Sequence, residues 1–262
     1  MSGTNQEIIS SGLSGAITDG WQYDDLILTA LPSLLVPLTG ASLAGGSSNG
    51  TPTTFESPDI NGVINKTRCG NVTCAITTAS GSRGQMQSSN AVRFQVLPSS
   101  VHGFGADVCF NGGQIDFTQD PVAQLVGFAN AGAVIPNQGA YVRPPYVGET
   151  NFYKYVLTYF NGTPINVVFD SGVAYDPSPN KFLSIFVLAD GINDSITYTI
   201  QANGQTDTFT INNVLVTYPL MWGSSINSQT IQVARSGAGT TPIARSIIVD
   251  KLYRYIKPNY NY

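Results

Sequence analysis

Ser195-Ile-Thr-Tyr-Thr-Ile-Gln201 and Thr206-Asp-Thr-Phe-Thr-Ile-Asn212 stand on either side of Asn203-Gly204. Apolar and polar residues alternate in both segments, which is the period of a half-buried β-strand. Asn-Gly readily takes the positive φ that a tight hairpin turn demands, so 195–212 reads as an antiparallel hairpin. Asn161-Gly162 joins 153–160 to 165–170 in the same way, and Asn61-Gly62 and Asn111-Gly112 add further turn signals. The clearest single alternation is Val92-Arg-Phe-Gln-Val-Leu97.

Working outward, short runs bounded by turn residues recur from about residue 53 onward. The expected strands are 60–66, 71–78, 91–97, 106–110, 114–118, 122–129, 139–143, 153–160, 165–170, 182–189, 195–202, 206–217, 228–234 and 244–256. The last has four apolar residues roughly on one helical face, but its Ile, Val and Tyr content favours strand. Many short strands of this spacing predict an all-β fold: an antiparallel β-sandwich, jelly-roll-like, with long loops at 36–52, 80–90, 130–150 and 218–228. Residues 1–52 are expected to form an irregular N-terminal segment packed on the core, with the sandwich in 53–262 and a sub-boundary near 145–152, after Pro144-Pro145.

Composition narrows the function classes. Charged residues make up 11% of the 262, against roughly 25% in an ordinary soluble domain. The 27 aromatic residues argue against disorder. A net charge of −4 argues against nucleic acid as a main partner, since neutralising phosphates needs a basic surface. The most apolar early stretch, Leu26–Leu38, is broken by Pro32 and Pro37 and is too short to span a bilayer, so no membrane insertion is expected. The first ten residues show neither the basic nor the apolar region of a secretory signal. Cys69, Cys74 and Cys109 are an odd set read as reduced thiols, and with His102 as the single histidine no metal or other cofactor is expected.

One motif points to chemistry. Val167-Val-Phe-Asp-Ser-Gly172 resembles the apolar–apolar–Asp–Ser/Thr–Gly signature of aspartic proteases, and the strand–turn–strand before it is similar to retroviral-type members of that family. The resemblance implies Asp170 as the catalytic carboxylate. Because the sequence holds a single Asp-Ser-Gly, only a homodimer would complete the pair of acids that shares one proton.

The tail Lys251-Leu-Tyr-Arg-Tyr-Ile-Lys-Pro-Asn-Tyr-Asn-Tyr262 interleaves aromatic and cationic residues. Tyr and Arg are enriched at binding cores, so Tyr253, Arg254, Tyr255, Lys257, Tyr260 and Tyr262, with Trp222, are the expected interface residues. A weakly charged exterior rich in Ser (24), Thr (24) and Asn (20) lacks the repulsion that keeps monomers apart. The leading expectation is therefore a non-enzymatic protein that self-assembles with copies of itself and other virion proteins. Composition and pattern resemble jelly-roll capsid or spike proteins, which implies location in a virion. A second reading is a carbohydrate-binding or host-attachment module, in which Trp21, Trp222, Tyr141, Tyr146 and Tyr153 stack on sugar rings while Asn, Asp and Gln bond hydroxyls. The homodimeric protease is the third.

Overall fold

The computed structural model describes residues 21–25, 42–45, 53–57, 67–74, 83–87, 101–130, 136–160, 162–178, 181–217, 227–235, 240–241 and 243–257. Among them are fifteen strands and one short helix. The first eight strands are β1 (Trp21–Asp25), β2 (Ser42–Gly45), β3 (Thr53–Ser57), β4 (Thr67–Cys74), β5 (Arg83–Gln87), β6 (Val101–Asn111), β7 (Val122–Asn130) and β8 (Gly139–Arg143). They are followed by β9 (Phe152–Phe160), β10 (Pro164–Ala174), β11 (Leu183–Asp190), β12 (Ser195–Ala202), β13 (Gln205–Asn212), the single-turn α1 (Val214–Thr217), β14 (Asn227–Arg235) and β15 (Arg245–Lys257). The expected strands 60–66 and 91–97 lie outside the described residues.

The hairpin read from sequence is present. Asn203 and Gly204 both have positive φ, 51° and 74°, and Ala202 pairs with Gln205. From it the first sheet runs β13-β12-β11-β6-β15-β4-β3, with β1 pairing beside β4 along the same strand, β15. The second runs β10-β9-β8-β7-β14-β5-β2. Every pair between named strands is antiparallel. The all-β antiparallel sandwich is thus the observed fold, and segment 1–52 supplies a strand to each sheet.

Alternation explains the core. Phe104, Val108, Ile185, Val187, Tyr198 and Ile200 of the first sheet meet Val126, Phe128, Val142, Tyr155, Leu157 and Ile231 of the second, all buried. Each such side chain contributes about 1.5–3 kcal/mol when taken out of water. Edge strand β13 shows half-buried positions alternating with exposed ones, whereas β9 is buried on both faces from Tyr153 to Thr158.

The expected loops 36–52 and 80–90 are corrected by β2 and β5, which lie within them and pair with each other. Three expected strands also depart from expectation, each through a local cause. Residues 114–118 form a turn, because Gly112 and Gly113 take positive φ (112° and 72°) and Asp116 accepts from the Thr118 N–H and hydroxyl. The stretch 206–217 is a strand only to Asn212. Asn213 then turns left-handed (φ 57°) and α1 buries Val214 in the core. The stretch 165–170 does not end at Asp170. It runs on through a register shift to Ala174, with Asp207 of β13 accepting the Gly172 N–H at 2.8 Å and the Tyr155 hydroxyl at 2.7 Å.

One end of the sandwich holds a buried charge cluster. Asp120, 1% exposed, accepts from Arg235 through one oxygen and from Arg245 Nε through the other at 3.1 Å. Arg245 also donates to the carbonyls of Gly112, Gly113 (2.5 Å) and Gln114 (3.2 Å), which holds the 112–121 loop against β15. Removing one member of a buried ion pair strands the other charge at a cost of about 3–5 kcal/mol. Asp120→Ala is accordingly expected to lower the unfolding free energy in urea by about that amount. A loss under about 1 kcal/mol would mean the two arginines are satisfied without the carboxylate.

Candidate functional site

The face of the second sheet turned away from the core is ordered in three rows by strand register. One row is charged: Arg143 opposite Lys154, and Lys154 opposite Asp170. The next is apolar: Gly127, Tyr141, Val156 and Val168. The third is polar, with Gly139, Thr158 and Asn166 side by side. Leu125, Ala129, Tyr141 and Val156 form a second apolar cluster there, separate from the main core. A recess of about 150 Å³ opens on this face, lined by Phe117, Leu125, Tyr141, Arg143, Tyr146, Val156, Asn166 and Val168 among others. Gly127 makes room beside Tyr141, since a Cβ there would sit 2.4 Å from the Ala140 carbonyl oxygen and 2.6 Å from Tyr141 Cα.

The loop after β8 shapes one end of the recess. Pro144 and Pro145 fix φ and withdraw two N–H donors. Gly148, at φ 93°, then turns the chain back so that Glu149 meets Arg143. The Arg143 guanidinium donates to both Glu149 oxygens at 2.7 Å and, through Nη1, to the Pro144 carbonyl at 2.9 Å. Glu149 also accepts the Tyr146 N–H at 2.8 Å. Tyr146 is thereby clamped: Arg143 lies 3.9 Å from its ring centre and Phe117 packs at 4.9 Å between centroids. Gln114 and Val147 tie the loop to 114–115 through hydrogen bonds of 3.0 and 2.8 Å. Burial disfavours the charged form of Glu149, but the bonds from Arg143 and the Tyr146 N–H outweigh it and hold the carboxyl below its usual range.

Of the residues singled out from sequence, Tyr141 and Tyr146 line the recess. Tyr153 does not; it is a core residue packed edge-on against Tyr175 at 5.3 Å. Tyr253, expected at an interface, is buried. Its hydroxyl donates to Asp107 at 2.7 Å, Ser184 donates to the other Asp107 oxygen at 2.6 Å, and Phe186 packs on its ring at 5.0 Å. Arg254, Tyr255 and Lys257 belong to β15, where the backbone of Arg254 and Tyr255 is flanked by β1 and β6 and that of Lys257 pairs with Val101. Tyr260, Tyr262 and Trp222 lie outside the described residues. The tail as far as Lys257 is thus the strand expected of 244–256, internal to the first sheet.

The protease expectation is corrected at Asp170. The family's carboxylate sits on a turn after a buried strand, while Asp170 lies within β10 and accepts from Lys154 and from the Thr150 hydroxyl (2.6 Å). Those hydrogen bonds hold its carboxyl below the ordinary value. An acid dyad instead needs one carboxyl that keeps its proton.

No family model matches the sequence, and no curated protein matches it. Solved structures do match. The chain is similar to an endo-β-1,4-glucuronan lyase from the fungus Trichoderma reesei, at 11% identity and TM-score 0.51 over 89% of this chain and 94% of that one. It is also similar to the carbohydrate recognition domain of Emp47p, at 14% identity and TM-score 0.50 over 92% and 99%. Lectin II from Ulex europaeus aligns at 12% identity and TM-score 0.48 over 83% and 97%. At these identities the first two show a shared fold. The expectation of a virion protein is corrected here: the two structures that share the fold are a lyase and a carbohydrate recognition domain. A weakly charged exterior rich in Ser, Thr and Asn suits a hydrogen-bonding surface as well as a subunit contact, so composition alone did not separate the two.

Sequence reading missed Phe117, Arg143, Glu149, Asn166 and Val168. Two signals were available. Arg143-Pro-Pro-Tyr-Val-Gly-Glu149 places opposite charges at the ends of a turn built from Pro and Gly, and 166, 168 and 170 share a face by period two, a step from Asp170 that the sequence reading did not take. If Glu149 closes the loop, its contribution is complete above the unfolded carboxyl value of 4.5 and is lost as pH falls through the depressed folded value. Glu149→Gln is expected to cost about 2 kcal/mol near neutral pH and to flatten the stability profile below pH 4.5. Urea unfolding across that window checks it, and an unchanged acid limb would refute it.

Proposed function

We propose that this chain is a carbohydrate-binding module and that the recess on the outer face of the second sheet receives the sugar. The observation that carries the reading is the lining itself. A sugar ring has apolar C–H faces and a rim of hydroxyls. It needs a shallow apolar bed with a rigid aromatic side and few, fixed polar groups, the general make-up of a small-molecule site. Val168, exposed, supplies the bed over the buried Leu125 and Val156, Tyr146 and Phe117 the aromatic side, and Asn166 the polar group. The fold shared with a carbohydrate recognition domain supports the same reading.

Binding without hydrolysis is favoured by the state of the carboxylates at this face. Hydrolysis of a glycosidic bond ordinarily needs one acid held protonated beside another that is ionised. Glu149 and Asp170 are each bound to a cation, Arg143 and Lys154, and both are shifted toward the ionised form.

A glycan array followed by calorimetry on the best binder tests the proposal. Tyr146→Ala is expected to weaken that binder at least about tenfold, roughly 1.4 kcal/mol, with the β-sheet circular-dichroism spectrum retained. An array without a binder, or a Tyr146→Ala protein with unchanged affinity, would sink it.

A further inference from the structure

We infer that the recess takes a single neutral pyranose ring, the terminal unit of a glycan, and that Asn166 reads it as a hydrogen-bond donor oriented from behind by Thr158 and Tyr141. The inference rests on the carbohydrate reading above and narrows it to a ligand class.

Size sets the first limit. The recess measures about 150 Å³, while sites for larger small molecules span roughly 300–1,000 Å³. The clamped 143–149 loop, with Tyr146 packed against both Arg143 and Phe117, stands at one end. One ring fits such a space; a run of several would need an open trough.

Charge sets the second. Arg143 has its Nη1 and Nη2 groups on Glu149 and Pro144. The Lys154 ammonium carries three protons, and it has three acceptors: the Thr150 carbonyl at 2.9 Å, the Thr150 hydroxyl at 2.6 Å and Asp170. The two cations of the β8–β10 row beside the recess, Arg143 and Lys154, are therefore engaged within the protein. A sugar carboxylate placed here would give up its hydration without gaining a cation, which disfavours acidic sugars.

The third limit is the direction of a hydrogen-bond relay. Thr158 is fully buried and donates its only proton to Asn166 Oδ1 at 2.7 Å. The Tyr141 hydroxyl, 3.2 Å from Thr158 Oγ1, has that oxygen as its one partner among the described residues. Burial pushes the Tyr141 phenol above its ordinary value, so it keeps its proton. That proton must go to Thr158, because the reversed relay would leave a buried O–H without an acceptor. The chain therefore runs Tyr141 to Thr158 to the Asn166 carbonyl. Asn166, exposed on edge strand β10, keeps its two amide N–H groups for a ligand. Two adjacent donors beside an apolar bed match the hydroxyl oxygens of a neutral sugar or the carbonyl of an acetamido group.

The test uses the intact chain and the best array glycan. Methyl glycosides of neutral hexoses, an N-acetylhexosamine and a uronic acid serve as competitors in calorimetry. One of the neutral glycosides is expected to displace the glycan fully, at an affinity within about tenfold of the glycan itself, and the uronate to fail. Asn166→Asp replaces the donors by acceptors at an exposed position and should cut affinity at least tenfold with an unchanged melting temperature. Thr158→Val should do the same through loss of the relay, with Thr158→Ser restoring binding. If Thr158→Val does not fold, Asn166→Asp decides. Displacement by the uronate, a need for several linked sugars, or full affinity in Asn166→Asp would overturn the inference while leaving the carbohydrate reading in place. An array with no binder would remove both.

Discussion

Register between β9 and β10 is the constraint on which the recess depends. Val168 opposes Val156 and Asn166 opposes Thr158 on the outer face, while Phe169 opposes Tyr155 and Val167 opposes Leu157 toward the core. A slip of one residue would exchange the two faces of β10. Asn166, Val168 and Asp170 would then enter the hydrophobic interior, and Phe169 would leave its contact with Phe209, 4.7 Å between centroids. The register is held at one end by the turn through Gly162, with φ 78°, and along the strand by the Lys154–Asp170 pair. At the far end Asp207 receives the Gly172 N–H and the Tyr155 hydroxyl, so the edges of the two sheets are tied where the bulge occurs.

Scarcity of charge has a specific structural use. Ion pairs on open surface are worth little, but pairs withdrawn from water fix geometry because separating them strands a charge. Asp120 with Arg235 and Arg245 pins the 112–121 loop that carries Phe117, and Arg143 with Glu149 pins the loop that carries Tyr146. The two aromatic rings at one end of the recess are positioned by two separate ionic clusters. With so few charges, the side chains left to line the recess beside these clusters are mainly apolar, aromatic and amide groups.

Much of the fold was legible as alternation and turn chemistry. Strands 139–143 and 195–202 have the bounds expected of them, and Asn203-Gly204 makes the turn. Residues 114–118 were misread because an apolar Ile115 between polar neighbours imitates alternation, while the glycines before it bend the chain away. In the tail the strand was legible, but the placing of Tyr253 was not: it is aromatic and beside a cation in sequence, yet its partners Asp107, Ser184 and Phe186 come from β6 and β11. Of the recess, Tyr141 and Tyr146 were visible as candidate sugar-stacking residues, because an aromatic ring on or beside a loop is informative on its own. Asn166 was not, since one asparagine among twenty carries no mark of the relay behind it.

What the amino-acid sequence determined by itself is local. Period two and the residues able to take positive φ specify strands, hairpins and which side chains share a face, because these depend on near neighbours along the chain. Only the tertiary structure decided which of those faces is covered and which carries the recess. Sheet order brings β7, β8, β9 and β10 together, and the loops at 112–121 and 144–151 meet through Ile115 and Tyr146. Those contacts join residues far apart in the chain, and their hydrogen bonds and ion pairs gain strength from exclusion of water, a property of the packed interior that no segment has alone.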